Sequence, residues 1–337
     1  MQPLFSSAAC FSEWAAKLPL ALRVLLIEKM DRHLRTSALQ GAFVLYPQES
    51  NRVAASKSKK SKQKKSKKGT ARKAASFPTR RSADKHVLYQ ASVQAPEIEI
   101  DFMVDAYRAL RKKKPQTMRE DFCGTALLCA TWVKSHKNRK ATGVDLDPEV
   151  LAWGTKHNIA PLGEDRKRVQ LLQQDVLKKS SGSYDVINAM NFSYWIFKTR
   201  EQMRKYFESV RAALNSDGIF VCDAYGGWEA QEPMLEPRKI KGGFTYVWDQ
   251  DKFCPITHDI VNHIHFEFKD GTKWNKAFTY EWRYWTLPEL TELLKEAGFA
   301  KVEVYWDVAP QDDEEDYRPQ KHADNQAGWL AYLVAAK

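Results

Sequence analysis

Cysteine is scarce in this sequence. The chain has 5 cysteines in 337 residues, and no two of them are separated by only two residues. The spacing of zinc ribbons and redox pairs is therefore missing, and the odd number argues against a full set of disulfides. We expect a reducing compartment. No set of His, Cys and carboxylate residues has metal-ligand spacing, so we expect no metal.

Long apolar runs are also missing. The longest one near the start, residues 18–27, is interrupted by Arg23, whereas a membrane-spanning helix needs about 20 apolar residues. No membrane partner is expected. Glu13, Glu28 and Asp31 disfavour an organellar presequence, although the Ser/Ala-rich start keeps that alternative open. The expected location is cytoplasmic or nuclear.

Acidic residues are missing from one basic segment. Residues 52–81 contain 13 Lys or Arg and no Asp or Glu; because the whole chain carries +11, the remainder carries −2. This segment also lacks the apolar residues that would offset the entropy of ordering it. It is a contact for RNA or for a nuclear import receptor, or else a solvated spacer. Composition leaves these alternatives open.

The chain length suits one large domain with extensions. Apolar residues at a spacing of three to four predict a helical extension within residues 1–50. Residues 51–84 are expected to form a disordered linker. The main domain is expected over residues 85–337, where strands alternate with helical patterns, as in βαβ units.

The main domain begins with a predicted helix at 96–114. Alternating β and α patterns then predict a mostly parallel sheet, with strands at 117–122, 140–146, 168–176, 184–190 and 218–225. After the fifth strand, aromatic and β-branched residues predict antiparallel strands in an insertion at about 240–284. A helix after Thr286 and two final strands, 301–306 and 328–336, complete the domain, with an acidic loop at 311–317 between these strands.

Three positions at the ends of adjacent predicted strands point to a nucleotide-like ligand. Cys123-Gly124-Thr125 follows the first strand, Asp145 ends the second strand 21 residues after Gly124, and Asp175 ends the third. A tight turn with an acid about 20 residues later is typical of sites that bind a ribose through its hydroxyls. The carboxyl ends of parallel strands form the ligand crevice of an open α/β sheet.

Several segments, in order, resemble the class I S-adenosylmethionine-dependent methyltransferases. They are the first motif, residues 120–126 (EDFCGTA), and then GVDLDPEVL, QQDVL, YDVINAMNFSYWIF, VRAALNSDGIFVCDAYGG and YWTLPELTELLKEAGF. The resemblance covers residues 89–337. The family's first motif commonly reads D-x-G-C-G-T-G, so Phe122 and Ala126 replace two glycines. The resemblance implies an α/β fold with strand order 3-2-1-4-5-7-6, the seventh strand being antiparallel.

The same resemblance implies S-adenosyl-L-methionine as cofactor. The residues that match its binding positions are Arg119, Glu120, Cys123, Gly124, Thr125, Asp145, Leu146, Asp175, Val176 and Asn191. Either Glu120 or Asp121 would bind the cofactor's amino group, because strand alternation points them to opposite faces. Either Arg119 or Tyr89 would contact its carboxylate.

The loop after the fourth strand carries the candidates for the acceptor side. Asn191-Phe192-Ser193-Tyr194 lacks both prolines of the Asn-Pro-Pro-Tyr motif of base and glutamine methyltransferases, which disfavours base methylation. Tyr194, Trp195 and Tyr225 either line an acceptor pocket or pack in the core. His263 and His265 share one strand face, and His265 is a candidate base. The catalytic candidates are therefore Tyr194, Tyr225 and His265.

The sequence thus predicts an S-adenosylmethionine-dependent methyltransferase. The favoured acceptor is a small molecule or a protein side chain, since the insertion would cover a closed pocket. Two alternatives remain: an RNA methyltransferase tethered by the Lys-rich segment, and a non-catalytic scaffold with a methyltransferase-like domain.

Overall fold

The computed structural model of the chain describes residues 77–179, 182–309 and 315–337. The predicted helix within residues 1–50 and most of the predicted linker lie outside this range. Residues 77–84 do not fit the predicted disordered linker, because Arg80 and Ser82 lie in a hydrogen-bonded turn and the Arg80 guanidinium lies 3.6 Å from the Trp274 ring centre. In the described residues, no helix combines the length and apolar character needed to cross a bilayer.

Six α-helices are described. Asp84 caps α1, where its side chain accepts hydrogen bonds from two backbone N–H groups, and Thr199 and Thr286 form capping boxes at α5 and α6. Their bounds are α1 Lys85–Val93, α2 Pro96–Arg111, α3 Leu127–Ser135, α4 Pro148–Gly154, α5 Arg200–Ala213 and α6 Leu287–Glu296.

The central sheet has eight strands in the order β11-β10-β12-β5-β4-β1-β2-β3. Strands β1 to β5 are parallel, and β12 runs antiparallel to both β5 and β10. Seven of the strands follow the predicted order, with β10 and β12 as the sixth and seventh. The bounds are β1 Thr117–Asp121, β2 Lys140–Asp145, β3 Val169–Gln173, β4 Tyr184–Ala189, β5 Leu214–Gly226, β10 Lys301–Asp307, β11 Tyr317–Gln320 and β12 Trp329–Ala336.

The eighth strand, β11, was not predicted. It pairs with the edge of β10 and begins at Tyr317, the last residue of the predicted acidic loop. The strand is only four residues long, contains Pro319 and has mostly exposed side chains. Edge strands tolerate proline and need no buried face, so they leave little sequence signal.

Helices cover both faces of the central sheet. Helices α2 and α3 pack on one face through residues such as Met103 and Trp132, which are fully buried with Val186 of β4. Helices α5 and α6 pack on the other face, where Phe207 and Leu293 are also fully buried. This three-layer arrangement leaves the carboxyl ends of β1, β2 and β4 open toward α1 and the inserted strands.

The insertion is a four-stranded antiparallel meander, β6-β7-β8-β9. Its strands are β6 Met234–Ile240, β7 Phe244–Phe253, β8 Asp259–Phe268 and β9 Lys273–Arg283. The insertion begins one strand earlier than predicted, because β6 is an exposed edge strand with Pro237 and no apolar alternation. Leu88 of α1 is buried against Phe266 and its neighbours on this second sheet.

Candidate functional site

The turn after β1 keeps the backbone shape of a glycine-rich loop although two of the family's glycines are replaced. Phe122, Gly124 and Ala126 have φ values of 58°, 49° and 55°. The left-handed region costs a non-glycine residue about 1–2 kcal/mol. Both replaced positions therefore adopt the conformation that glycine favours. The ring of Phe122 packs against Phe197 and Tyr206 of the core, which offsets part of this cost.

Asp145, at the end of β2, holds two loops together. Its Oδ2 accepts a hydrogen bond from the Gly124 N–H at 2.8 Å, and its Oδ1 accepts one from the Asp147 N–H at 3.0 Å. The turn also approaches α4 closely, since a Cβ on Gly154 would lie 2.3 Å from the Thr125 carbonyl oxygen. Gly124 and Asp145, which the sequence places at the ends of adjacent strands, are thus in direct contact.

Strand alternation in β1 separates its three charged residues. Glu120 lines the crevice and accepts a hydrogen bond from the Cys129 N–H at 3.1 Å. Burial raises the pKa of Glu120 to about 8. Asp121 also borders the crevice, but its carboxylate is engaged by Arg119 and Tyr206, so Glu120 is the better candidate for the amino group.

Arg119 and Asp121 form a buried ion pair on the α5 side of the sheet. The Arg119 Nε donates to Asp121 Oδ1 at 2.6 Å, and the Tyr206 hydroxyl donates to Asp121 Oδ2 at 3.1 Å. Arg119 is 1% exposed and also donates to the Val176 carbonyl oxygen. The prediction that Arg119 binds the cofactor's carboxylate is therefore wrong in this structure, because its side chain faces away from the crevice.

Three other predicted cofactor residues lie outside the crevice lining. Asp175 is exposed, and its Oδ1 accepts a hydrogen bond from the Leu177 N–H at 2.8 Å, so it is a turn carboxylate. Val176 is buried beneath Arg119, and the side chain of Leu146 is exposed. Cys123, Gly124, Thr125, Asp145 and Asn191 do line the crevice.

The crevice is a cavity of about 370 Å³ that also contains residues the sequence did not indicate. These come from the helices before the sheet and from the α4 cap: Lys85, His86, Gln94, Glu99 and Asp147. Gln94 Oε1 is buried with no hydrogen-bond partner. Burial, reinforced by Asp223, raises the pKa of Glu99 to about 7. Asp147 could have been identified from the sequence, because it stands directly before Pro148 at the start of a predicted helix, and it caps α4 in the structure.

A second cavity of about 470 Å³ adjoins the crevice. Tyr89, Asn191 and Tyr280 line both cavities and so form their junction. Eight of the 20 described lining residues are aromatic, and they come from α1, the loop after β4, β5, the inserted sheet and β12: Tyr89, Phe192, Tyr225, Tyr246, Trp248, Tyr280, Trp282 and Trp329. We call this space the aromatic cavity. The predicted insertion thus covers a pocket beside the crevice.

The loop after β4 forms part of both cavities. Asn191 and Phe192 have φ values of 57° and 58°. Both backbone N–H groups donate to the carboxylate of Asp223 on β5, at 2.7 and 2.9 Å. Asp223 is buried, which raises its pKa to about 7. Asp223 thus fixes the backbone conformation of the loop, a role that the sequence did not reveal.

The catalytic candidates separate into one that lines the aromatic cavity and two that do not. Tyr225 lines it, and its hydroxyl accepts a hydrogen bond from Asn262 Nδ2 at 3.0 Å. Tyr194 is fully buried and donates to the Asp223 carbonyl oxygen, so it belongs to the core. Trp195 is likewise fully buried and stacks on Tyr225.

His265 does not supply a base to either cavity. It shares a face of β8 with His263, as predicted, but the opposite face is the one nearer the aromatic cavity, since Ile264 lines the cavity and Asn262 donates to the Tyr225 hydroxyl. Both ring nitrogens of His265 are engaged, Nε2 with Asp249 at 2.8 Å and Nδ1 with the Lys276 N–H at 2.8 Å. The described residues include no group of three or more His, Cys, Asp or Glu arranged to bind a metal.

Known proteins are similar to this chain in part of its sequence and in its fold. Residues 123–220 match a family model described as a methyltransferase domain. A search of curated proteins finds no match. Solved structures share the fold, among them a S-adenosylmethionine-dependent methyltransferase from Clostridium acetobutylicum, with 15% identity, 74% of this chain and 96% of that chain covered, and a TM-score of 0.56.

Two further solved structures are similar over the same range. CcbJ, a methyltransferase from Streptomyces caelestis, has 15% identity, covers 73% of this chain and 92% of its own, and has a TM-score of 0.56. CalS10, an amino pentose methyltransferase from Micromonospora echinaspora, has 14% identity, covers 74% of this chain and 95% of its own, and has a TM-score of 0.53. Residues 123–220 are thus similar in sequence to a methyltransferase domain, and the chain shares the Rossmann-like fold of solved S-adenosylmethionine-dependent methyltransferases.

Proposed function

We propose that this methyltransferase transfers a methyl group to a small molecule held in the aromatic cavity. The observation that carries the proposal is the junction of the two cavities at Tyr89, Asn191 and Tyr280. A donor in one cavity and an acceptor in the other would meet there. Methyl transfer requires mainly that the two reactants are held in line at near-attack distance.

The crevice residues fit S-adenosylmethionine. Gln94 Oε1 is an unpartnered buried acceptor, and the carboxyl groups of Glu99 and Glu120 line the same crevice, which suits a ligand whose ammonium group donates hydrogen bonds. Asp145 lies where a ribose hydroxyl would be bound. When bound, the cofactor supplies an electrophilic methyl group. The chain would bind it, orient it and exclude water.

The size and chemistry of the aromatic cavity favour a small molecule over a macromolecule. Its volume of about 470 Å³ lies within the range of small-molecule sites, about 300–1,000 Å³. Among the described residues, Arg238 is the only Lys or Arg in its lining, whereas a nucleic-acid site would need several positive charges. The predicted contacts of residues 52–81 with RNA or an import receptor, and a cytoplasmic or nuclear location, stay predictions.

The proposal is tested by following the label of methyl-tritiated S-adenosylmethionine. The purified chain is incubated with the small-molecule, protein and RNA fractions of an extract, each supplied separately. We expect label in the small-molecule fraction, and its loss in Trp282→Ala under conditions where S-adenosylhomocysteine still binds. Trp228→Ala, an exposed tryptophan outside the lining, is the matched control. Label confined to RNA or protein would refute the proposal.

A further inference from the structure

We propose that the acceptor is an amine, which enters the aromatic cavity in its protonated, cationic form. This inference rests on the proposed function and names the chemical class of its substrate. Three features of the cavity support this inference. They are its aromatic rings, the negative sign of its unpaired charges, and the few side chains in its lining that could act as a base.

The aromatic faces are arranged in packed groups that would surround a cation. Tyr280 and Trp282 stack at 4.4 Å between ring centres, and Phe192 meets Tyr225 edge-on at 4.7 Å. Trp248 lies 6.2 Å from Tyr280. Ring faces attract ammonium groups, more strongly when water is excluded, and Trp282 is only 3% exposed. A cationic acceptor would therefore gain more from this wall than a neutral one.

The unpaired charges of the cavity are negative. Glu229 and Glu236 line it, and neither carboxylate has a hydrogen-bond or ion-pair partner within the described ranges. Arg238, the one cationic side chain that the described residues bring to the lining, donates to the Ser92 carbonyl oxygen, and its guanidinium lies 5.2 Å from the Tyr246 ring centre. Arg238 is thus partly engaged, whereas the two carboxylates are free to attract a cation to the mouth of the cavity.

The lining also separates amines from alcohols as acceptors. No histidine lines the aromatic cavity in the described part of the chain, and burial raises the pKa values of Tyr225 and Tyr280. A hydroxyl acceptor would need a base beside it during transfer, and the described lining offers only the carboxylates of Glu229 and Glu236 for that role. An ammonium group can release a proton to water at the mouth before it reacts, because amines titrate much closer to neutrality than alcohols.

The transfer balances for an amine. The ammonium first loses one proton to water, and the nitrogen lone pair then forms a bond to the methyl carbon. The carbon–sulfur bond breaks, and the sulfur keeps that electron pair and becomes an uncharged thioether. The product nitrogen then carries the positive charge that the sulfonium has lost. The cationic product would still be favoured by the aromatic wall.

The experiment compares matched amine and alcohol probes on the full chain saturated with S-adenosylhomocysteine. The pairs are phenethylamine with 2-phenylethanol and cyclohexylmethylamine with cyclohexylmethanol, titrated by calorimetry and by tryptophan fluorescence. We expect each amine to bind about tenfold or more tightly than its alcohol. In the double variant Glu229→Gln with Glu236→Gln, the preference should fall to about threefold or less. Glu232→Gln, in the same segment but outside the lining, should keep the full preference.

The outcomes separate the two proposals. Equal binding of amine and alcohol, no amine binding in either pair, or an unchanged preference in the double variant would overturn the inference, and so would methyl transfer to hydroxyl acceptors alone. In each of these cases S-adenosylhomocysteine binding leaves the methyltransferase function standing. A folded chain that binds no S-adenosylhomocysteine would instead refute the proposed function itself.

Discussion

The carboxylate of Asp223 accepts a hydrogen bond from the backbone N–H of Asn191 at 2.7 Å, while its second oxygen accepts one from Phe192. Both loop residues have positive φ values, which together cost about 2–4 kcal/mol. Two hydrogen bonds to a charged group contribute about 1.5–3 kcal/mol each. The carboxylate can therefore hold the loop in a conformation that the chain alone disfavours, at the junction of the two cavities.

Asp223→Asn is expected to lower kcat for methyl transfer about 10- to 100-fold. An asparagine offers one acceptor oxygen, and its NH₂ group would face the second backbone N–H, so the loop would shift. Steady-state kinetics with labelled S-adenosylmethionine measure the effect. Asp217→Asn, on the same strand but in a surface ion pair with Lys113, is the control. Equal activity of the Asp223 and Asp217 variants would contradict this role.

Arg119→Met is expected to destabilise the fold by about 3–5 kcal/mol, because it leaves the buried Asp121 carboxylate without its partner. Urea unfolding followed by circular dichroism measures the loss. The double variant Arg119→Met with Asp121→Leu removes both charges and should regain much of the stability. If the double variant is no more stable than the single one, the unpaired charge is not the cause.

The pH dependence of stability follows from the buried acids. Burial raises the pKa values of Glu99, Glu120 and Asp223 to about 7, 8 and 7. The native state then binds these protons more strongly than the unfolded chain does between about pH 4 and 8. Their contribution to stability is present below the unfolded pKa values near 4 and is lost as pH rises through the native values.

We therefore predict that the free energy of unfolding decreases from pH 5.5 to 8.5. Glu120→Gln should flatten this decrease, since its amide oxygen can still accept the Cys129 N–H without titrating. Exposed Glu281→Gln should leave the slope unchanged. Urea titrations across the range test this. A slope in Glu120→Gln as steep as that of the wild type would contradict it.

The sequence predicted the parallel sheet well because its strands are buried and their spacing is regular. The strand order is confirmed, and Gly124 and Asp145 both line the crevice at the carboxyl ends of the strands. It could not choose between Glu120 and Asp121, since alternation separates two neighbours but does not say which face holds the crevice. The structure decides this through Arg119, whose ion pair with Asp121 fixes the opposite face.

Other errors have equally local causes. Asp175 has the right position along the chain, but its carboxylate turns back to the Leu177 N–H, as aspartates in turns commonly do. His265 matched the chemistry of a base, yet the register of β8 places Asn262 and Ile264 toward the cavity instead. Gln94 and Glu99 lie before the first strand of the sheet. The segments that resemble methyltransferase motifs begin at Glu120, so they gave no indication of these two residues.

The central claim is that the crevice lined by Gly124 and Asp145 binds the methyl donor, and calorimetric titration with S-adenosylhomocysteine tests it most directly. The account predicts micromolar binding by the wild type, a loss of at least about tenfold in Asp145→Ala, and little change in Asp175→Ala. Equal losses in both variants would contradict the assignment of Asp175 as a turn carboxylate. No binding by a folded wild-type chain would contradict the account as a whole.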